Sequence, residues 1–207
     1  SKILSVNSSF TSPSVASNNY DRTETLDSVY FAMFVPDRGP GWKGNLKKLK
    51  IVNGKQVDQG GNNAIDSTGS IDKNAKTFWT TGTTPDGNDV TKGGVSQMLA
   101  AKTSRKVITN MGTGTALVDF NRANAQTFYG SAAALEIALD VNTADVDDYL
   151  NWAIGLDVDD VNGDGSTTDI RQDVFGDPLH SKPLTVNYGG SATSQDVRII
   201  VGTNAGA

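Results

Sequence analysis

The sequence predicts a mainly β fold with a helical insertion over residues 89–155. Apolar and aromatic runs of strand length recur on either side of that segment, at residues 29–35, 46–52 and 197–201. Within the segment, apolar residues recur every three or four positions, which is the spacing of one helix face. The rest of the sequence is rich in Gly, Ser, Thr, Asn and Asp, so we expect many turns between short elements.

The first strands are defined by the residues that end them. Pro36 ends the run 29–35, whose length and composition predict a buried strand. The pair Asn53-Gly54 follows the next strand, and both residues tolerate positive φ, which predicts a tight hairpin. Residues 60–76 predict a polar loop.

The insertion predicts helices over residues 89–101, 116–128, 131–139 and 143–153, although 116–139 is also compatible with one helix and a loop. The last helix is the best defined, because Thr143 can cap it and Gly155 can end it. A strand is expected near residues 105–110. After the insertion, residues 184–188 and 197–201 predict an antiparallel pair joined by a Gly-Gly-Ser loop.

Composition restricts the class of protein. The 207 residues predict a single region, 1–207, which we expect to be a fragment of a longer protein. The net charge of −5 argues against a nucleic-acid partner, which would favour a basic surface. Cysteine is absent, so no disulfide or zinc–thiolate site is expected, and no apolar run approaches the length of a membrane span.

Residues 156–174 form an acidic loop with the ligand pattern of a hard cation. Calcium takes six to eight oxygen ligands, and EF-type loops supply them from alternating positions with Gly at the sixth. Counted from Asp160, the first, third and fifth positions are Asp160, Asn162 and Asp164, and the sixth is Gly165. Ser166, at the seventh, offers its backbone carbonyl.

The end of this loop departs from the EF pattern, because Arg171 stands at the twelfth position in place of Glu. We expect a shortened loop that closes on Asp169, with Asp157 or Asp159 as further ligands. The alternative is a solvated turn without metal, since Asp, Asn and Gly also favour turns. Calcium is preferred because so many carboxylates in one short loop repel one another, and magnesium suits an all-protein cage poorly.

Other candidate chemistry is weaker. His180 could join Ser181 and Asp177 in a triad, but neighbours this close in sequence rarely reach triad geometry, so a structural His is expected. The lysines of residues 43–50 alternate with leucines and predict the solvated side of an amphipathic strand. The three tryptophans are expected to be core anchors, and no catalytic residue is assigned.

Three blocks of sequence together resemble the PilY/PilC family of type IV pilus tip adhesins and assembly factors. The resemblance extends from about Phe10 onward, and its most specific parts are Gly176–Ser181 and Val201–Asn204. The blocks are Val29–Pro36 with Trp42–Lys48; Phe78-Trp79 with Asp86-Gly87 and Gly93-Gly94; and Trp152–Gly155, the acidic loop, Phe175–Pro183 and Val201–Asn204.

The resemblance implies that residues 1–207 are the N-terminal part of the family's C-terminal, modified β-propeller domain, and that calcium is the bound ion. It further implies an extracellular location at the pilus tip, with minor pilins and host or abiotic surfaces as partners, and roles in adhesion, pilus assembly and twitching motility. Two alternatives remain open. One is a quinoprotein-like propeller enzyme, and the other is a purely structural calcium-stabilised surface module.

Overall fold

The computed structural model describes residues 9–10, 14–17, 25–38, 41–111, 114, 116–171, 173–191 and 194–204. The chain divides into two compact units. The first unit combines Ser1–Met98 with Gln172–Gly206, and the second consists of Leu99–Arg171 with Ala207.

A five-stranded antiparallel sheet organises the first unit. The strands are β1 (Ser9–Phe10), β2 (Ser14–Ser17), β3 (Thr25–Val35), β4 (Lys43–Val52) and β5 (Lys55–Val57). The strand order is β1-β3-β4-β5, and β2 also pairs with β3. The long β3–β4 pairing, with Ser28 opposite Lys50 and Val35 opposite Lys43, is the backbone of this sheet.

Residues 29–35 of β3 are continuously apolar because both faces of the sheet are covered there. Residues in phase with Phe31 pack against the loop that follows β5, including Ile71. Residues in phase with Tyr30 pack against Trp79 and Phe175 on the opposite face. A strand buried on both sides loses the alternation of apolar and polar residues. The predicted strand 29–35 is thus confirmed as the centre of this core.

The hairpin predicted at Asn53-Gly54 is confirmed. Val52 lies opposite Lys55, which leaves a two-residue turn between β4 and β5. Both turn residues have positive φ, 51° for Asn53 and 74° for Gly54, as a type I′ turn requires. The predicted pair near the end of the chain is also confirmed, as β8 (Leu184–Ser191) and β9 (Ser194–Ile200).

The second unit is built around three helices, and its core joins four of their side chains. The helices are α2 (Arg122–Tyr129), α3 (Ala132–Leu139) and α4 (Val146–Ile154), the last preceded by a 3₁₀ turn (Thr143–Asp145). Ala125, Leu135, Val146 and Leu150 are buried together. Gly155 ends α4 in the left-handed conformation, as predicted, with φ of 98°.

Several predicted helix boundaries were wrong, each for a local reason. Helix α1 (Gly94–Ala100) begins five residues after Asp89, because the Asp89 carboxylate accepts from the Thr91 N–H and hydroxyl rather than capping a helix. The segment 116–128 begins as a short strand, β7 (Val118–Asp119), which pairs with β6 (Ile108–Thr109). Asn121 then caps α2 through the Asn124 N–H.

The predicted mainly β partial propeller is wrong for the part of the chain that the structure describes. Its strands form three separate antiparallel sheets, one of five strands and two of two strands, and none is closed or arranged as a propeller blade. The short β6–β7 and β8–β9 pairs each stop at two strands among the described residues. Much of the chain that a propeller would place in strands forms turns, loops and the helices of the second unit instead.

Candidate metal centre

The acidic loop lies in the second unit and is closed at its base by a short antiparallel contact. Leu156 faces Ile170 across this base, and the Asp157 N–H donates to the Asp169 carbonyl at 2.9 Å. The Arg171 N–H donates to the Gly155 carbonyl at 2.9 Å, directly after α4 ends. Helix α4 therefore fixes where the loop begins and where it returns.

Asp157 is a structural residue of the loop. Its side chain is buried, and its carboxylate accepts from the Val161 N–H at 3.0 Å and the Asn162 N–H at 3.3 Å. A buried carboxylate must be hydrogen-bonded, and these two amides meet that need within the loop. The sequence left open that Asp157 is a further metal ligand. Its contacts indicate instead that it holds the loop backbone.

Asp160 begins the ligand pattern in a conformation that suits a tight loop. Its φ is 48°, and both carboxylate oxygens lie 3.2 Å from the Gly165 nitrogen, so the side chain spans the turn. Gly165 has φ of 84°, and Gly163 has φ of 72°, values that favour glycine. The glycine at position six of the predicted pattern thus makes the sharp turn that an EF-type loop needs.

Three of the five predicted ligands come together in the folded loop. The Asn162 Nδ2 atom lies 3.2 Å from Asp164 Oδ2 and 3.1 Å from Asp169 Oδ2. Asn162 Oδ1 accepts from the Asp164 N–H, and Asp164 Oδ1 accepts from the Ser166 N–H. The Asp160 carboxylate is linked to the same turn through the Gly165 nitrogen, and Ser166 directly follows Gly165. The predicted closure on Asp169 agrees with this convergence.

The contacts of Asp169 fit a cation. Its Oδ1 atom is buried without a hydrogen-bond partner, while its Oδ2 atom faces the Asn162 amide. A buried carboxylate oxygen without a partner costs free energy unless a donor or a metal compensates it. The Asn162 amide group stands where two carboxylates meet, which is the position that a cation would take. Rotation of that amide would turn its oxygen toward the same point.

Carboxylates alone do not make this site. Among the residues that the structure describes, no group of three or more His, Cys, Asp or Glu side chains is placed to hold a metal ion. Calcium also accepts amide and backbone carbonyl oxygens and water as ligands. The residues that could hold it are therefore Asn162, Asp164 and Asp169, with Asp160 and the Ser166 carbonyl completing the predicted set.

The side chain of Arg171, at the twelfth position, contacts the last turn of helix α4. Its guanidinium lies 4.2 Å from the centre of the Trp152 ring, and its Nη1 donates to the Trp152 carbonyl at 2.9 Å. Trp152 itself is 48% exposed, so the prediction that all three tryptophans are core anchors is wrong for this one. Trp42 and Trp79, by contrast, stack on Phe34 and Tyr30.

The first unit contains a buried ion pair that sequence reasoning missed. Lys47 Nζ lies 3.0 Å from Asp86 Oδ2, and both side chains are almost completely buried. The same ammonium donates to the carbonyls of Asp86, Gly87 and Asp89 at 2.7–2.9 Å. Burial lowers the pKa of Lys47, and the Asp86 carboxylate opposes that shift. The predicted solvated role of the lysines of 43–50 is therefore wrong for Lys47.

Asn45 makes a similar buried connection. Its Nδ2 donates to the carbonyls of Val90, Lys92 and Gly93, and its Oδ1 accepts from the Ser96 N–H. Lys47 and Asn45 thus tie the turn of residues 86–93 to strand β4. The sequence did carry a sign of this arrangement, because Asn45 and Lys47 lie in phase with the buried Leu49 along the strand.

The most specific blocks of the family resemblance contact one another within the first unit. The Asn204 N–H donates to the Asp177 carbonyl at 2.8 Å, and Asn204 Nδ2 donates to Asp177 Oδ1 at 2.7 Å. The Gly202 N–H donates to Ser181 Oγ at 2.9 Å. Phe175, from the same block, accepts from the Gly44 N–H of strand β4 at 3.1 Å. The blocks are therefore parts of one hydrogen-bonded unit.

These contacts also place the residues of the hypothetical triad. His180 Nδ1 lies 3.3 Å from Asn204 Oδ1, and Asp177 Oδ1 accepts from Leu179 and Asn204. Ser181 Oγ accepts from Gly202. These hydrogen bonds join this segment to residues 202–204, which is a structural arrangement of the kind expected for His180.

Comparison with known proteins gives no assignment: no family model, no curated protein and no solved structure matches this chain. Among the described residues, no helix is long and apolar enough to cross a lipid bilayer.

Proposed function

We propose that this chain is a calcium-binding module of a type IV pilus tip-associated protein, acting outside the cell in pilus assembly, surface adhesion and twitching motility. The observation that supports the calcium site is the convergence of Asn162, Asp164 and Asp169 beside a buried carboxylate oxygen that lacks a partner. The pilus role is supported by the sequence resemblance, whose most specific blocks pack together in the first unit.

In this proposal, the bound calcium supplies positive charge among mutually repelling carboxylates. Asp164 and Asp169 bind it directly, and Asn162 contributes its amide oxygen after rotation of the side chain. Asp157 holds the loop backbone through two amide groups, so the loop keeps its shape when the ion leaves. Because the loop begins and returns at the end of α4, neutralising it stabilises the exit from that helix.

The alternatives are affected unequally by the fold. The quinoprotein-like enzyme was inferred from a propeller, and the described residues do not form one. The structural calcium module shares the same loop and differs only in lacking a role at the pilus. In the proposed role, the partners of this chain are minor pilins at the pilus tip and a host or abiotic surface.

Calcium affinity tests the site. We expect isothermal titration calorimetry to show one calcium site in the wild type, and a large loss of affinity in the double variant Asp160→Ala with Asp164→Ala. A separate Asp169→Ala variant should lose affinity because the loop closes on that residue. Asp119→Ala with Asp148→Ala is the matched control, since it removes the same charge from exposed positions of the same unit. Equal affinity in the wild type and the first double variant would contradict the proposal.

A genetic experiment separates the pilus role from a purely structural one. We expect deletion of the gene in the producing bacterium to reduce the number of surface pili and to impair twitching. Restoring the gene with the Asp160→Ala and Asp164→Ala substitutions should restore less twitching than the wild-type gene does. If deletion leaves pilus number and twitching unchanged, the structural module is the better account.

A further inference from the structure

The second unit contains an open groove that the calcium loop does not use. The groove has a volume of about 630 Å³ and lies where α3 ends and the 3₁₀ turn before α4 begins. Ile137 and Val141 provide its apolar part. Ile137 is 81% exposed although it lies on the same short helix as Leu135, which is completely buried. Ile137 therefore presents most of its apolar surface to solvent at this groove.

The rest of the groove is acidic. Glu136, Asp140 and Asp145 line it, and no Lys or Arg does. Among the described residues, no ion pair involves any of these three carboxylates, and Arg122 of this unit pairs with Asp147 instead. The C-terminal end of α3 adds its negative dipole at Asp140. The groove therefore presents concentrated negative charge around an apolar floor.

The whole second unit has the same charge character. Residues 99–171 contain eleven Asp and Glu residues and five Lys and Arg residues, so this unit carries the negative charge of the chain. A long-range field of this sign attracts basic surfaces and repels acidic ones. Charge complementarity thus identifies the kind of partner that the groove fits.

We propose that this groove binds a basic, amphipathic segment of a partner protein. Lys and Arg suit it because their methylene stems can lie on Ile137 and Val141 while the charged ends reach Asp140 and Asp145. The carboxylates give the partner its orientation and raise the rate of association, and the apolar floor contributes buried area. The residues that line the groove, 136–145, lie outside the calcium loop, although the loop carboxylates contribute to the charge of the unit.

We expect substitution at Asp140 to leave the fold intact, so that a loss of binding is attributable to the groove. Asp140 has φ of 55° and places a negative charge at the negative end of α3. Asn tolerates the same conformation and removes that unfavourable charge. We therefore expect Asp140→Asn with Asp145→Asn to be folded, because the gain at the end of α3 offsets the loss of a carboxylate at the N-terminus of α4.

The probe is a synthetic nonapeptide that alternates Lys and Leu, titrated into the isotope-labelled 207-residue chain and followed by NMR. We expect shifts centred on residues 136–145 and an affinity at least fivefold weaker in Asp140→Asn with Asp145→Asn and in Ile137→Ser. The matched control, Asp119→Asn with Asp148→Asn, has the same net charge and should bind within twofold of the wild type. A variant of the calcium loop, Asp160→Ala with Asp164→Ala, should also bind normally.

Two companion peptides complete the test. A Glu–Leu peptide should not bind, and a Lys–Ser peptide should bind more weakly than the Lys–Leu peptide. Equal losses in the groove and control variants would show non-specific attraction and overturn the proposal. Shifts outside the groove, no binding at millimolar peptide, or groove shifts caused by calcium alone would overturn it as well.

Discussion

Replacing Lys47 with Met is expected to lower the free energy of unfolding by about 3–5 kcal/mol, the usual cost of removing one partner from a buried ion pair. The Asp86 carboxylate would remain buried, with only the Thr77 N–H and hydroxyl as partners. Three backbone carbonyls would also lose their donor. Urea unfolding measures the difference.

Lys50 provides the matched control on the same strand. It forms an ion pair with Asp27 at 3.1 Å, but both side chains are substantially exposed. Exposed pairs contribute at most about 1 kcal/mol, so Lys50→Met should be nearly neutral. Adding Asp86→Asn to Lys47→Met removes the second buried charge, and this double variant should recover part of the lost stability. Equal effects of Lys47→Met and Lys50→Met would contradict the assignment.

Replacing Gly44 with Ala is expected to give the second large loss in the free energy of unfolding. A Cβ at this position would overlap the carbonyl oxygen of Gly176 and crowd the Cα of Asp177. The obstruction is backbone on both sides, so neither chain segment can yield by changing a rotamer. We expect a loss of about 3 kcal/mol or more, at the upper end of overpacking effects. The hydrogen bond from Gly44 to Phe175 would break with it.

Gly41→Ala is the control for this substitution. A Cβ on Gly41 would meet nothing within 4 Å, so the change should alter the free energy of unfolding by less than about 0.5 kcal/mol. Thermal unfolding of both variants in parallel gives the comparison. A Gly44→Ala protein as stable as Gly41→Ala would mean that β4 and the segment around Gly176 are not in close contact.

Local signals predicted the strands well and the contacts between distant segments poorly. The run 29–35 and the Asn53-Gly54 turn depend on residues within a few positions, and both are confirmed. The burial of Lys47 depends on Asp86, 39 residues further along the chain. No local sequence pattern predicts a partner so far along the chain. The phase of Lys47 with Leu49 was the one available sign, and the density of lysines around it concealed that sign.

The errors in the helical part have the same origin. Residues 89–101 were predicted as one helix, but the Asp89 side chain accepts from Thr91 and the Asp89 carbonyl accepts from Lys47. Propensity favours a helix there, and the tertiary contact determines a turn instead. The propeller was inferred from resemblance alone, and resemblance in short blocks does not specify how sheets are closed.

The acidic loop was predicted with more detail than the fold. Alternating oxygen ligands and a glycine at the sixth position are local features, and the turn at Gly165 and the proximity of Asn162, Asp164 and Asp169 agree with them. The structural role of Asp157 could not be read from sequence, because it follows from the contact between residues 156 and 170 at the loop base.

The most direct measurement is a crystal structure of this chain grown with millimolar calcium, with the anomalous signal of the ion recorded. We expect one calcium peak in the loop, with oxygens of Asn162, Asp164 and Asp169 at about 2.3–2.6 Å from the ion. The Asn162 amide should be rotated so that its oxygen faces the ion. A loop without a peak, in which Asn162 Nδ2 still bridges Asp164 and Asp169, would contradict it.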